Sequence, residues 1–153
     1  TGHLVFSTLH TNSALATCAR MIDMGLEPYL LASSLLGIVA QRLVRRICPT
    51  CRTEVATPPG VGHLFNGGAP AHLYRGIGCE DCRGTGYRGR VAIHELVTMN
   101  EELRHLTLER APEARMLEAA QRGGTVTLRQ ECLTRVIEGE TTLEEVVRLT
   151  QER

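Results

Sequence analysis

The sequence predicts an α/β chain that carries a cysteine-rich insertion and ends in helices. Three observations predict it. Runs rich in β-branched and aliphatic residues at 4–8, 38–47 and 91–97 have the composition of strands. Apolar stripes at helical spacing, bounded by capping residues, occupy residues 12–37 and the stretch after 100. Between them, residues 48–90 hold most of the 15 glycines, four of the six prolines and four of the six cysteines.

The elements follow in chain order. LVFST at 4–8 reads as a short buried strand. Asn12 or Ser13 then caps a helix whose Leu15, Cys18, Ala19 and Ile22 share one face, with Gly25 as its stop. Cys18 on that face is a core thiol, since a free cysteine packs as a small hydrophobe. Pro28 suits the first turn of a second helix, which Gly37 weakens or ends. Residues 38–47 read as a strand, with a helix as the alternative. Residues 91–97 would pair with that strand, so the cysteine-rich stretch is an insertion at the end of a hairpin. Asn100 opens a helix carrying Leu103 and Leu106; Pro112 starts the next, and Gly123-Gly124 ends it. Thr127 with Gln130 makes a capping box ahead of a buried face of Cys132, Leu133, Val136 and Ile137, closed by Gly139. Cys132 is again read as core. Thr142 with Glu145 makes another box, followed by Leu143, Val146, Val147 and Thr150.

Composition excludes several classes of function. All 17 basic residues are arginines, and there is no lysine. A P-loop, whose lysine holds the β/γ-phosphates, and Schiff-base catalysis are therefore excluded within this chain. The arginines are balanced by 17 acidic residues, which argues against a nucleic-acid platform with its basic excess. The longest apolar run, 28–40, contains Ser33 and Ser34 and is too short to span a bilayer. The chain opens on Thr1-Gly2-His3, without Met and inside an apolar-rich segment. A cut or boundary within a longer protein is expected there.

The chemistry lies in the cysteines. Cys48 and Cys51 form one C-x2-C pair, Cys79 and Cys82 a second, and 27 residues separate the pairs. Each pair brings two thiolates within reach of one ion, and two pairs complete the tetrahedron that Zn²⁺ prefers. With all four positions filled, such an ion is structural. Gly84 lets backbone N–H groups turn toward the sulfurs, and Pro49 stiffens the first pair. The spacer is long, so a loose loop is expected around Pro58-Pro59-Gly60 and Gly67-Gly68. Four thiolates and one Zn²⁺ carry a net charge of about −2, and Arg45, Arg46, Arg52, Arg75, Arg83 and Arg88 stand near in sequence to offset it. The alternatives are two disulfides, a redox-active pair, or an iron–sulfur cluster. Metal binding supplies folding energy where apolar burial is poor. Loss of the ion should then disorder residues 48–90 and spare the helical end.

The histidines carry a weaker signal. His63, His72, His94 and His105 are scattered without a pattern. His3 and His10 flank LVFST, and His10 falls just past its carboxyl end, where open α/β sheets place ligands. An imidazole there can orient water or sense phosphate charge. The plain alternative is capping or packing.

Four stretches carry a resemblance. TGHLVFSTLHTN resembles the histidine box of the type II secretion / type IV pilus-assembly ATPase family. ARMIDMGLEPYLLASSLLGIVAQRLVRRICPTC is similar to the segment that follows that box, and CEDCRGTGYRGRVAIHELV to the family's second zinc knuckle and return strand. TLRQECLTRVIEGETTLEEVVRLT resembles its carboxy-terminal helices. The tetracysteine pattern points to the secretion (GspE-like) and pilus-extension (PilB-like) branches.

The resemblance implies a cytoplasmic, hexameric ATPase with a RecA-like motor domain, peripheral to the inner membrane through its partners. Residues 1–47 would be the end of the motor core with the histidine box. Residues 48–90 would be the zinc subdomain, 91–99 the strand returning to the core, and 100–153 a helical subdomain. His3 and His10 match the histidine-box positions and take a catalytic role; Cys48, Cys51, Cys79 and Cys82 hold Zn²⁺. ATP and Mg²⁺ would serve the longer parent, whose phosphate-binding motifs would precede Thr1, so this chain alone should not hydrolyse ATP. Implied partners are further copies in a homo-hexamer, an inner-membrane platform protein and a membrane-anchored recruiting protein, with no nucleic acid and no direct membrane insertion. The other class that the residues allow is a zinc-ribbon module binding nucleic acid or protein.

Overall fold

The computed structural model describes residues 2–65, 68 and 70–151, with the side chains of Thr150 and Gln151 excepted. Gly67 of the expected loop and the Thr150 side chain lie outside that description. Helices α1 (Ala16–Asp23) and α2 (Pro28–Ser34) come first. Strand β1 (Gly37–Ile47) leads into a short hairpin, β2 (Arg52–Ala56) and β3 (His72–Gly76), with a 3-10 turn at Gly62–Leu64 between them. Strand β4 (Tyr87–Thr98) returns, and α3 (Glu101–Leu108), α4 (Glu113–Arg122), α5 (Leu128–Ile137) and α6 (Leu143–Gln151) follow. Among the described residues there are two two-stranded sheets, β1 with β4 and β2 with β3. The chain is thus mixed helix and strand, and no described helix is long and apolar enough to cross a membrane.

The chain divides into two compact units. One comprises residues 1–40 and 96–125, the other 41–95 and 126–153. In the first, Ser13 sets the start of α1 by accepting from the Ala16 N–H at 3.1 Å, and it donates to Glu113 at 2.5 Å. Gly25, with φ of +96°, closes that helix as expected. Asn100 caps α3 by accepting from the Leu103 N–H at 2.8 Å. The core between these helices holds Leu15, Cys18, Leu31, Val97, Leu103 and Met116. Arg104 reaches across to donate to the Ala32 carbonyl.

In the second unit, β2 and β3 run antiparallel with Arg52 opposite Gly76 and Ala56 opposite His72. Val44 and Ile93 point inward from β1 and β4 and meet Cys132, Leu133 and Val136 of α5 and Val146 of α6. Phe65 and Leu73 join them from the cysteine-rich stretch. The capping box of Thr127 and Gln130 forms at the start of α5. The buried Glu95 carboxylate accepts from the Leu128 N–H at 3.1 Å, beside that cap.

Several expectations are corrected. Residues 4–8 are not a buried strand. They have no sheet partner among the described residues, and Leu4, Val5 and Phe6 are 66%, 77% and 88% exposed. A strand exists only by pairing, and β1 and β4 are already paired with each other. Ile137 and Val147 are exposed, because each lies one position beyond a residue that takes the core direction, Val136 and Val146. The expected Thr142–Glu145 box gives way to other partners. Both Glu145 oxygens go to Arg45, and Thr142 pairs with the Tyr87 hydroxyl at 2.8 Å.

Candidate metal centre

The end of β1 delivers Cys48, and the following turn delivers Cys51 just before β2 begins. After β3, Ile77 N–H donates to the Cys51 carbonyl at 3.1 Å, which lays the second cysteine pair against the first. Cys79 and Cys82 then sit on a tight turn whose Gly84 N–H bonds to the Cys79 carbonyl at 2.9 Å. Arg83 adopts φ of +53° inside that turn. The Thr50 hydroxyl donates to Asp81 at 2.7 Å and ties one pair to the other.

The backbone here approaches closer than side chains would permit. A Cβ on Gly76 would stand 2.0 Å from the Gly86 carbonyl oxygen, and a Cβ on Gly86 would stand 2.5 Å from that of Gly76. Gly86 also has φ of +77°. Its N–H points at the Cys82 sulfur, at 3.2 Å, as does the N–H of Cys79 at 3.2 Å. Gly86→Ala is expected to cost about 2 kcal/mol or more, combining overlap with an unfavourable backbone angle. Thermal melting in saturating zinc measures it, and a variant within roughly 0.5 kcal/mol of the parent would contradict this account.

The four sulfurs fit a tetrahedral ion. Cys48–Cys79 and Cys51–Cys82 are each 3.8 Å apart, Cys79–Cys82 is 3.7 Å, and all four lie within 4.8 Å of one another. A tetrahedron with Zn–S bonds of about 2.3 Å has edges of about 3.8 Å. A disulfide needs sulfurs about 2.05 Å apart, and all six cysteines are free. Burial works against ionisation of Cys82, but the N–H groups of Cys79 and Gly86, together with the Cys79 and Cys51 thiols, outweigh it and bring the thiol down to about 6. The thiolate, the form that binds metal, is favoured at Cys82 and Cys48, whereas burial and the neighbouring thiols push Cys51 up to about 11. Cys18 and Cys132 are different: burial pushes them up to about 11 and about 12, and they are core thiols as expected.

The arginines near the cysteines are partly spent elsewhere. Arg45 stacks over Tyr87 at 4.1 Å and bonds to Glu145. Arg52 stacks over Tyr74 at 4.0 Å. Arg88 stands 3.9 Å from Asp81. His3 and His10 are exposed on the irregular segment at 2–10 and belong to the other compact unit from the cysteines. His63 bonds its ring to the Gly60 carbonyl, His72 faces Glu54 and His105 faces Glu109. Sequence reasoning missed Glu145, the buried partner of Arg45; its only signal was a glutamate at a position equally suited to a helix cap.

Fold and site together define a mixed helix–strand segment with a cluster of four cysteine sulfurs placed to hold one metal ion. A family model described as "Type II/IV secretion system protein" matches residues 1–148, and the chain belongs to that family. It is 44% identical over 158 residues to the type IV pilus assembly ATPase PilB of Thermus thermophilus, covering 99% of this chain and 18% of that protein. It is 45% identical to type II secretion system protein E of Pseudomonas aeruginosa over 154 residues, 99% of this chain and 30% of that protein. It is 46% identical to type II secretion system ATPase E of Vibrio cholerae, with the same 99% and 30% coverage. The chain therefore spans between about a fifth and a third of these relatives' lengths.

Proposed function

We propose that this chain is the carboxy-terminal part of a cytoplasmic motor ATPase that powers type II protein secretion or type IV pilus assembly. The observation that carries the reading is the match over residues 1–148 together with relatives whose own names are those of secretion and pilus-assembly ATPases. In this reading a RecA-like core, assembled as a hexameric ring, holds ATP and Mg²⁺ with residues beyond this chain, which has no lysine to serve a phosphate loop. The tetrathiolate holds one structural Zn²⁺. The ring works on an inner-membrane platform protein and is recruited by a membrane-anchored partner.

Residues 2–10 carry the coupling to nucleotide in this reading. Exposed Leu4, Val5 and Phe6 support a segment whose neighbours are supplied by the rest of the motor core. His3 and His10, both exposed at its ends, then face the nucleotide, where an imidazole orients water or binds the terminal phosphate. His10→Ala in the longer protein is expected to fold, keep its zinc and assemble, while ATP turnover falls at least tenfold, about 1.4 kcal/mol of transition-state stabilisation. Steady-state phosphate release reads it. Unchanged turnover with intact secretion would assign His10 to structure alone.

A further inference from the structure

The turn between α5 and α6 is held by residues that border the metal ligands. Ile47, next before Cys48, donates its N–H to the Glu140 carbonyl at 2.8 Å. Arg52, next after Cys51, donates to the Glu138 carbonyl at 3.0 Å while its guanidinium lies over Tyr74. Gly139 is seated against that stack, where a Cβ would stand 2.4 Å from Arg52 Nη2 and 2.5 Å from Tyr74 Cδ2. Thr141 donates its hydroxyl to the Arg45 carbonyl at 2.8 Å. Tyr87, which follows the glycine whose N–H meets the Cys82 sulfur, pairs its hydroxyl with Thr142 at 2.8 Å.

These contacts draw on three separate stretches of chain: the end of β1, the start of the β2–β3 hairpin and the start of β4. The turn is bound only when all three stand in register. The ligand geometry imposes that register, since Cys48, Cys51 and Cys82 belong to those stretches or adjoin them. The apolar side of α5, with Cys132, Leu133 and Val136, packs on Val44 and Ile93, which lie outside the cysteine-rich stretch, as well as on Phe65 and Leu73 within it, and the first two give it an anchor that the metal ligands do not supply.

We propose that metal occupancy latches the α5–α6 turn, so that the tetrathiolate centre sets the order of residues 138–145 and not only of its own hairpin. The inference rests on zinc filling the four-cysteine site. It departs from the sequence expectation that the helical end is indifferent to the ion. Coupling between two sites is reciprocal: a turn that needs the metal must also tighten its binding.

The test uses the full chain. Elemental analysis establishes one zinc per chain, and hydrogen exchange is then compared between the zinc form and a reduced form stripped by chelator. Amides in 138–145 are expected to exchange about tenfold faster or more without zinc, while 128–137 and 101–122 hold their protection. In competition with a chromophoric chelator, Gly139→Ala and Thr142→Val are each expected to raise the zinc dissociation constant about fivefold, although neither touches a sulfur. Zinc bound as expected, with exchange in 138–145 unchanged or with 128–137 lost to the same degree, would overturn the latch and leave the zinc reading standing. Wild-type zinc affinity in both variants would do the same. Absence of bound zinc in reduced protein would overturn both.

Discussion

Cys79→Ser is expected to abolish stoichiometric zinc binding and to disorder the cysteine-rich stretch at 48–90, so that its contribution to the melting transition is lost. The reason is the smallness of the apolar material around the ligands. Among the described residues of the cysteine-rich stretch, Phe65 and Leu73 are buried in the neighbouring core with Val61 and Leu64 partly so, and the cysteines otherwise bury one another. A structural zinc ion contributes roughly 10–16 kcal/mol of apparent binding free energy at neutral pH, more than the whole stability of a typical small domain, about 5–15 kcal/mol. A serine in one corner leaves three thiolates and no closed tetrahedron. The first unit should persist, because its core of Leu15, Leu31, Leu103 and Met116 contains no ligand. Zinc content by elemental analysis and calorimetric melting decide the matter. Stoichiometric zinc with an unchanged transition in the variant, or iron in the parent, would defeat the assignment.

Glu145→Ala should be strongly destabilising, at about 2–3 kcal/mol, since the Arg45 side chain left behind is 46% exposed and can be rehydrated. Glu145 is 2% exposed. One oxygen takes the Arg45 backbone N–H at 2.7 Å, and the other takes the Arg45 side chain at 2.8 and 2.7 Å. The bond to Glu145 holds the Arg45 guanidinium above its ordinary range, so the arginine stays charged throughout. Truncation leaves a backbone donor without its acceptor and a half-buried cation without its counter-charge. Glu145→Gln keeps shape and one acceptor and should cost less than half as much. Denaturant titration of both variants in excess zinc separates this from metal loss; equal stabilities of parent and alanine variant, within about 0.5 kcal/mol, would show the pair to be incidental.

The sequence spoke clearly wherever a local rule was sufficient. Asn100, the Thr127–Gln130 box, Gly25 and Pro28 each act within a few residues of themselves, and each does what its type suggests. The pairing of the strand before Cys48 with the one after Arg90 followed from their flanking the insertion, and it formed. The meeting of the four cysteines was legible because metal geometry restricts spacing. Nonlocal choices were not. RTEVA and HLYRG form β2 and β3 although neither alternates strongly, since their register is fixed by the meeting of the cysteine pairs and not by their own pattern. LVFST has strand composition without a described partner. Glu145 could have served its own helix; the backbone N–H and guanidinium of Arg45 across the unit were the better partners, and no spacing rule connects residues 45 and 145.

The 27 residues between the cysteine pairs describe the length of a detour, not a dimension of the site. The detour is pinched shut at its base, where Thr57 N–H meets the Ala71 carbonyl at 3.0 Å and the Thr57 hydroxyl meets that of Pro70 at 2.5 Å. Everything the sulfurs need lies on their side of that pinch. Lengthening a closed loop is thermodynamically cheap, about 0.6 kcal/mol for each doubling. Natural drift in spacer length, or a peptide spliced in at the exposed Pro59-Gly60 step, would leave the tetrahedron as it is, so a search pattern that fixes this number would discard proteins with an identical centre.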